Sequence, residues 1–235
     1  MSDDAFRADQ AYSVIRRAIV SCGIMPGARF TEAELMARFA LGKSSVRIAL
    51  RRLIERGFVT SIPRHGYRVT PVTVRDVEEV FALRLALEPL AARLAAGRVD
   101  RALLEELEAA CRREAPGDVD DQIEQFLEAN RSFHMAIAMA SGNQRLCRTL
   151  SGLLDEMTRL VALGFGAHGV RPNIENDHTS LIEHLAADDP DAAETVARRH
   201  VETFRAMTME KVLASLPHAA LAPQPVERAP RARVA

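Results

Sequence analysis

Tryptophan is absent, aromatic residues fill only 5% of the 235 positions, and cysteine occurs three times. Ala, Leu, Arg and Glu dominate instead, a composition that favours helices. Cys22, Cys111 and Cys147 are odd in number, scattered and without a CxxC pair, which argues against a disulfide framework and fits reduced thiols. No long uncharged apolar run and no signal-peptide pattern occurs, so the expectation is a soluble cytoplasmic chain without a membrane segment. The zinc-protease pattern HExxH is also missing.

With 48% apolar and 27% charged positions, the chain is long enough for one large domain or two modest ones. Its net charge of −1 conceals a division. Residues 1–70 hold 12 Lys/Arg against 6 Asp/Glu, whereas residues 71–215 hold 16 against 25. A basic module joined to an acidic one fits a nucleic-acid reader with a separate control domain.

The basic module centres on Gly42 to Arg56, GKSSVRIALRRLIER. At about 100° per residue, Val46, Ala49, Leu50 and Leu53 share one face of a helix, and Ser44, Arg47, Ile48, Arg51, Arg52 and Glu55 share the other. Upstream, Thr31-Glu32-Ala33-Glu34 is a capping-box pattern for a shorter helix that carries Leu35, Met36 and Phe39 inward. A helix, a turn with a glycine and a second helix with a basic face describe a helix-turn-helix. Residues 58–62 and 67–70 pair as strands around Pro63-Arg64-His65-Gly66, a wing with Arg64 and His65 at its tip and a positive φ at Gly66. Tyr12, Ile15, Ala18 and Ile19 mark a supporting helix that ends near Gly23, preceded by about eight residues expected to be disordered.

The run PGARFTEAELMARFALGKSSVRIALRRLIERGFVTSIPRHGYRVTPV resembles the winged-helix domain of GntR-family transcription regulators, whose usual form is a PGxxL turn, VSRTPVREAL and a wing with PxxG. The resemblance spans about residues 10 to 75. It departs where Gly42, Lys43, Ser45 and Ile48 stand in place of Ser, Arg, Pro and Glu, so an operator sequence does not carry over. The candidate DNA-contacting set is Arg29, Lys43, Ser44, Arg47, Ile48, Arg51, Arg64, His65 and Gly66. Lys43 and Ser44 suit phosphates at the helix start, and Arg47 is a main contact. Ile48 either rests on a thymine methyl or leans on a neighbouring helix.

From Asp76 onward the sequence shows no strand pattern. Helices are expected over about 76–96, 101–114, 119–140, 143–163, 174–187 and 191–214, separated by Gly97, Pro116-Gly117, Ser141-Gly142, a glycine-rich loop at Gly164 and Asp189-Pro190. Six helices with short connections make a bundle. The segment Gly164 to Gly169 spells GxGxxG, but a helix precedes it and a Pro172 loop follows, which excludes a dinucleotide site. The tail from Pro217 is rich in Pro, Ala and Arg and is expected to be disordered.

Three of seven histidines fall in apolar stripes: His134 in line with Asn130, Ile137 and Ala138; His178 with Leu181, Ile182 and Leu185; His200 with Val196, Ala197, Phe204 and Met207. Singly, each reads as a hydrogen-bonded core histidine. Together they need several compensating partners, and one divalent metal would satisfy all three. His65, His168, His184 and His218 read as wing, loop, surface and tail. In the first bundle helix Arg84 lies among Val77, Val80, Phe81 and Ala91, an inward position. It either pairs with Glu88 one turn on or forks onto an effector carboxylate.

EANRSFHMAIAMASGNQRL, DHTSLIEHL and ARRHV resemble the FCD-type effector domain of the FadR branch of the same family. That resemblance implies metal ligands at Asn130, His134, His178 and His200, with a small carboxylate effector completing the shell. Asn130 stands where Asp is commoner, so a bound ion keeps its formal charge for an anionic effector.

The expectation is a mainly α protein: a winged helix-turn-helix over residues 8–72, an all-α bundle of about six helices over 73–215 that binds metal and dimerises, and a tail over 216–235. Its function reads as a homodimeric repressor on a pseudo-palindromic double-stranded DNA operator, controlled by a small carboxylate at a divalent transition metal, with zinc ahead of nickel, cobalt or iron. The alternative is a metal-dependent hydrolase using the three-His site.

Overall fold

The computed structural model describes residues 3–113, 119–166 and 177–215; the expected tail, His168 and His218 lie outside them. The first helix, α1 (Asp3–Val20), starts earlier than the sequence suggested and runs through residues expected to be disordered. Ala8 and Ala11 continue its buried stripe toward the N-terminus, and Asp9 pairs with Arg52 at 2.6 Å.

β1 (Arg29–Phe30) leads into α2 (Glu32–Phe39), whose start forms the expected capping box: Glu34 N donates to Thr31 Oγ1 and Thr31 N to Glu34 Oε2. Such a cap is worth about 1 kcal/mol. Ala40 closes α2 in the left-handed conformation. α3 (Lys43–Glu55) then begins at Gly42 with no side chain on its first amides and buries Val46, Ala49, Leu50 and Leu53. The wing is β2 (Val59–Ile62) and β3 (Gly66–Val69), antiparallel.

β1, too short to announce itself by alternation, adds to the other side of β3 and stacks Phe30 on Tyr67. Ile15, Ile19, Leu35, Leu50, Leu53, Phe58 and Val69 form the shared core of this module.

The bundle comprises α4 (Val74–Ala95), α5 (Arg101–Arg112), α6 (Val119–Ala140), α7 (Gln144–Gly166), α8 (Asp177–Ala186) and α9 (Pro190–Ser215). Thr73 and Asp76 form a second capping box at the start of α4. α4 lies along α9 and is continuous through Pro89. Proline has no N–H for the carbonyl one turn before it, and Arg198 of α9 donates to that carbonyl, Leu85 O, at 3.4 Å. Phe81, Phe126, Leu154, Met157, Phe165 and Phe204 form the main core, and Phe133, Ile137, Leu181 and Leu185 a second one around the histidines. Gly164 and Gly166 belong to α7, so the first part of the GxGxxG string is helical. Among the described residues, no helix is long and apolar enough to cross a membrane.

The two modules meet along α1 and α7. Asp155, buried on α7, accepts from Arg16 of α1 and from Arg131 of α6, each at 2.8 Å. Nearby, Arg159 donates to Thr70 O and lies over the Phe58 ring, its acidity raised by burial. Burial also lifts the Cys22 thiol to about 11, so it stays protonated.

The wing turn is conformationally demanding, with positive φ at both Arg64 and Gly66. Gly66 has φ +87°, and a Cβ there would sit 2.5 Å from Phe30 O. Gly66→Ala is therefore expected to cost about 1–3 kcal/mol and to release β1 from β3. Thermal unfolding, with amide exchange of residues 29–30 and 66–69, measures both effects.

Candidate metal centre and nucleic-acid interface

α6 places Asn130 and His134 one turn apart on its inner face, α8 supplies His178, and α9 supplies His200; all four are buried. The ring centroids are 5.4 Å apart for His134 and His178, 5.2 Å for His134 and His200, and 4.7 Å for His178 and His200. One nitrogen of each ring lies within 4.8 Å of the other two. The three histidines of the expected set are thus gathered in one place, with Asn130 one turn from His134 on α6.

Carboxylates orient two of the rings. Glu88 of α4 approaches His134 Nδ1 at 2.9 Å, and Glu108 of α5 approaches His178 Nδ1 at 2.6 Å. Burial pushes the Glu88 carboxyl upward, but Arg84 and His134 outweigh that and hold it well below the usual carboxylate range. Glu108 is likewise raised by burial and, on balance, lowered by His178 and Arg112. Ionised acceptors at Nδ1 favour the tautomer with the proton on that nitrogen, which leaves Nε2 to present a lone pair.

Arg84 is fully buried. Its Nε donates to Glu88 Oε1, so the pair anticipated between these residues is formed. Its guanidinium also lies over Phe81, 4.9 Å from the ring centroid. Among the described residues, Arg84 Nη1 and Nη2, Asn130 Oδ1 and Nδ2 and His134 Nε2 make no hydrogen bond.

An unsatisfied buried polar group costs about 1–3 kcal/mol. A cation suits Asn130 Oδ1 and His134 Nε2, which are both lone-pair donors. Beside His134 is a cavity of about 10 Å³ whose walls include Glu88, Ile137, Leu181 and His200. That volume suits one water or one ion. On these grounds the residues fit a divalent metal of the kind that accepts imidazole and oxygen ligands.

Glu88 and Glu108 are the residues that the sequence reading left out of the site. Glu88 entered it only as the partner of Arg84. Glu108 carried a signal in its spacing, four residues after buried Leu104 and three before buried Cys111.

The residues expected at DNA divide differently. Lys43, Ser44, Arg47, Ile48 and Arg51 are exposed on α3, Arg64 and His65 are exposed at the wing tip, and Arg29 is exposed on β1. Ile48 is 44% exposed and does not lean on a neighbouring helix deeply enough to be covered. Arg47 Nε donates to Glu32 Oε2 at 2.9 Å, while Tyr67 OH donates to Glu32 Oε1 at 3.1 Å. Glu32 thus ties α3 to the wing strand β3, a role invisible in the sequence. Arg52, on the outer face by periodicity, turns back to Asp9 and lies over the Tyr12 ring at 4.0 Å.

Residues 79–203 match the FCD domain, and residues 7–69 match the bacterial regulatory proteins of the gntR family. The HTH-type transcriptional repressor RspR of Escherichia coli K12 is 26% identical over 193 residues, 82% of this chain and 85% of that protein. A GntR transcriptional regulator from Rhodococcus sp. RHA1 superposes with a TM-score of 0.71 at 21% identity, over 90% of this chain and 99% of that one. E. coli McbR/YncC superposes at 0.70 and 20% identity, over the same shares. These two structures carry the fold.

The hydrolase alternative gains no support. The relatives are transcription regulators by name, and both buried carboxylates near the histidines are engaged in holding rings and arginines rather than poised as a base.

The Glu88 cluster has a direct energetic consequence. Glu88→Ala strands the Arg84 guanidinium in the core, and removing one partner of a buried pair costs about 3–5 kcal/mol. Urea unfolding of the metal-free protein is expected to register that loss, with Arg84→Met/Glu88→Leu recovering most of it.

Proposed function

The chain belongs to the GntR family of bacterial transcription regulators and carries an FCD domain, and we propose that it is a repressor whose grip on DNA is set by a small carboxylate at a divalent metal. It is a DNA-binding regulator, not an enzyme. The observation that carries the ligand reading is the convergence of His134, His178 and His200, with Glu88 and Glu108 on the outer nitrogens of two of the rings. Asn130, His134, His178 and His200 would hold the ion, which supplies a positive charge to an otherwise neutral ligand set. Imidazole and amide ligands suit zinc first, then nickel, cobalt or iron, over magnesium or calcium.

An organic acid needs more room than the about 10 Å³ cavity beside His134, so its entry would displace lining side chains. That displacement gives the acid a means to favour one conformation over another. Arg84 stands behind Glu88 and assists through that carboxylate or, after a rotation, with its two η nitrogens.

On DNA, α3 would enter the major groove. Lys43, Ser44 and the uncapped amides after Gly42 suit phosphates, Arg47 a base edge and Ile48 a thymine methyl. Arg51 extends the basic face, Arg29 and the wing tip add backbone contacts, and Gly66 lets the wing approach closely. Arg47 must exchange Glu32 for DNA, which makes that ion pair part of the binding equilibrium.

One short helix reads few base pairs, so a symmetric partner is needed for operator length. Leu83, Leu90 and Leu94 are exposed along α4, with half-buried Leu87 between them at coiled-coil spacing, and Leu83 is 51% exposed. This stripe suits a second copy of the chain across a two-fold axis.

Three outcomes are expected. Arg47→Ala abolishes specific operator binding in gel shifts with an unchanged circular dichroism spectrum; unchanged affinity removes Arg47 from the interface. Leu83→Lys/Leu90→Lys gives a monomer by light scattering, and a wild-type monomer that binds one half-site as tightly as two overturns the dimer. Asn130→Asp tightens metal but weakens the acid, because a carboxylate already in the shell competes for the same charge, while His178→Ala loses both. Calorimetry of metal and then of a panel of small carboxylates tests this, and the effector reading fails if metal-free protein binds its acid equally well.

A further inference from the structure

A second set of metal-ligating atoms lies on the outer side of His178. Cys111 Sγ, a Glu108 carboxylate oxygen and a His178 ring nitrogen are all within 4.8 Å of one another, and all three residues are buried. Glu108 and Cys111 stand one turn apart on α5, which packs against α8 and so brings both to His178. The contact between Glu108 Oε2 and His178 Nδ1 shows which side of the ring faces this cluster.

We propose that Glu108, Cys111 and His178 Nδ1 form a second metal position, for a thiophilic divalent ion such as zinc or cobalt, joined to the central position through the His178 ring. The proposal shares His178 with the centre described under the proposed function, and to that extent rests on it. The donor sets differ in kind: the central one is three imidazoles and an amide without a charged ligand, whereas the outer one has a thiolate and a carboxylate. Thiolate ligands select soft and borderline ions.

The chemistry balances in protons. Binding forms a metal–sulfur bond at Cys111 and a metal–nitrogen bond at His178 Nδ1. The thiol proton and the Nδ1 proton pass to solvent, as metal binding to such ligands requires. Glu108 is already ionised and brings none. When Nε2 holds the central ion, the ring becomes an imidazolate bridging both, so filling the outer position strengthens the hold of His178 on the inner one. Arg112, which donates to Glu108 Oε1, keeps the carboxylate turned with Oε2 toward the ring.

Titration of the full-length, metal-free protein with cobalt(II) tests this by absorbance, since only the outer site carries sulfur. The wild-type protein is expected to take two ions and to show a near-ultraviolet thiolate-to-cobalt band. Cys111→Ser is expected to take one ion and lose the band, and Cys111→Ala serves the same purpose if serine disturbs the packing. His134→Ala is expected to keep the band while losing one ion. A wild-type protein without the band, or a band that survives both Cys111 substitutions and so belongs to Cys22 or Cys147, overturns the proposal. One ion with a Cys111-dependent band that His134→Ala leaves untouched upholds the outer site and counts instead against the central one.

Discussion

Burying three imidazoles and a carboxamide inside a helical bundle is the constraint around which the C-terminal module is arranged. Each polar ring nitrogen withdrawn from water must find a partner, and two carboxylates meet that need on one side of two rings: Glu88 for His134 and Glu108 for His178. Those carboxylates are themselves buried and need cations, which Arg84 and Arg112 provide. Arg84 in turn lies over Phe81 and Phe204, so its delocalised charge is accommodated by aromatic faces. The apolar core and the polar centre are thus one construction.

α6 connects that centre to the rest of the molecule. His134 belongs to the histidine cluster, with Asn130 buried one turn before it, and Arg131 between them points to Asp155 on α7, which also receives Arg16 from α1. A helix is stiff over one turn, so a displacement of Asn130 or His134 and one of Arg131 are parts of a single motion. Arg159 adds a second attachment to the winged-helix module through Thr70 O and Phe58. The contact between modules is therefore made of directional, charged groups whose geometry is more exacting than an apolar contact of equal size.

The exposed face of α3 shows the same economy at smaller scale. Glu32 follows the residue that caps α2, yet its carboxylate accepts from Arg47 of α3 and from Tyr67 of β3. Burial pushes its pKa up, while these two donors bring it down by more. The exposed guanidinium of Arg47, the residue proposed to meet DNA, is held in place by this ion pair.

Much of this was legible in the sequence because helices are written locally. The capping box at Thr31, the 3.6-residue stripe of Val46, Ala49, Leu50 and Leu53, and the inward placement of His134, His178 and His200 depend on residues within two turns of one another. The strand β1 was not legible, since two residues have no period, and neither was the start of α1 at Asp3, whose polar opening residues look like a tail.

What only the tertiary structure decided are the pairings across elements: Glu88 with His134, Glu108 and Cys111 with His178, Asp155 with Arg16 and Arg131, and Glu32 with Arg47 and Tyr67. The sequence determined which face of each helix turns inward, because that is a matter of period. It did not determine which inward residues meet, because the height and rotation at which two helices pack are set by the ridges and grooves of both partners at once.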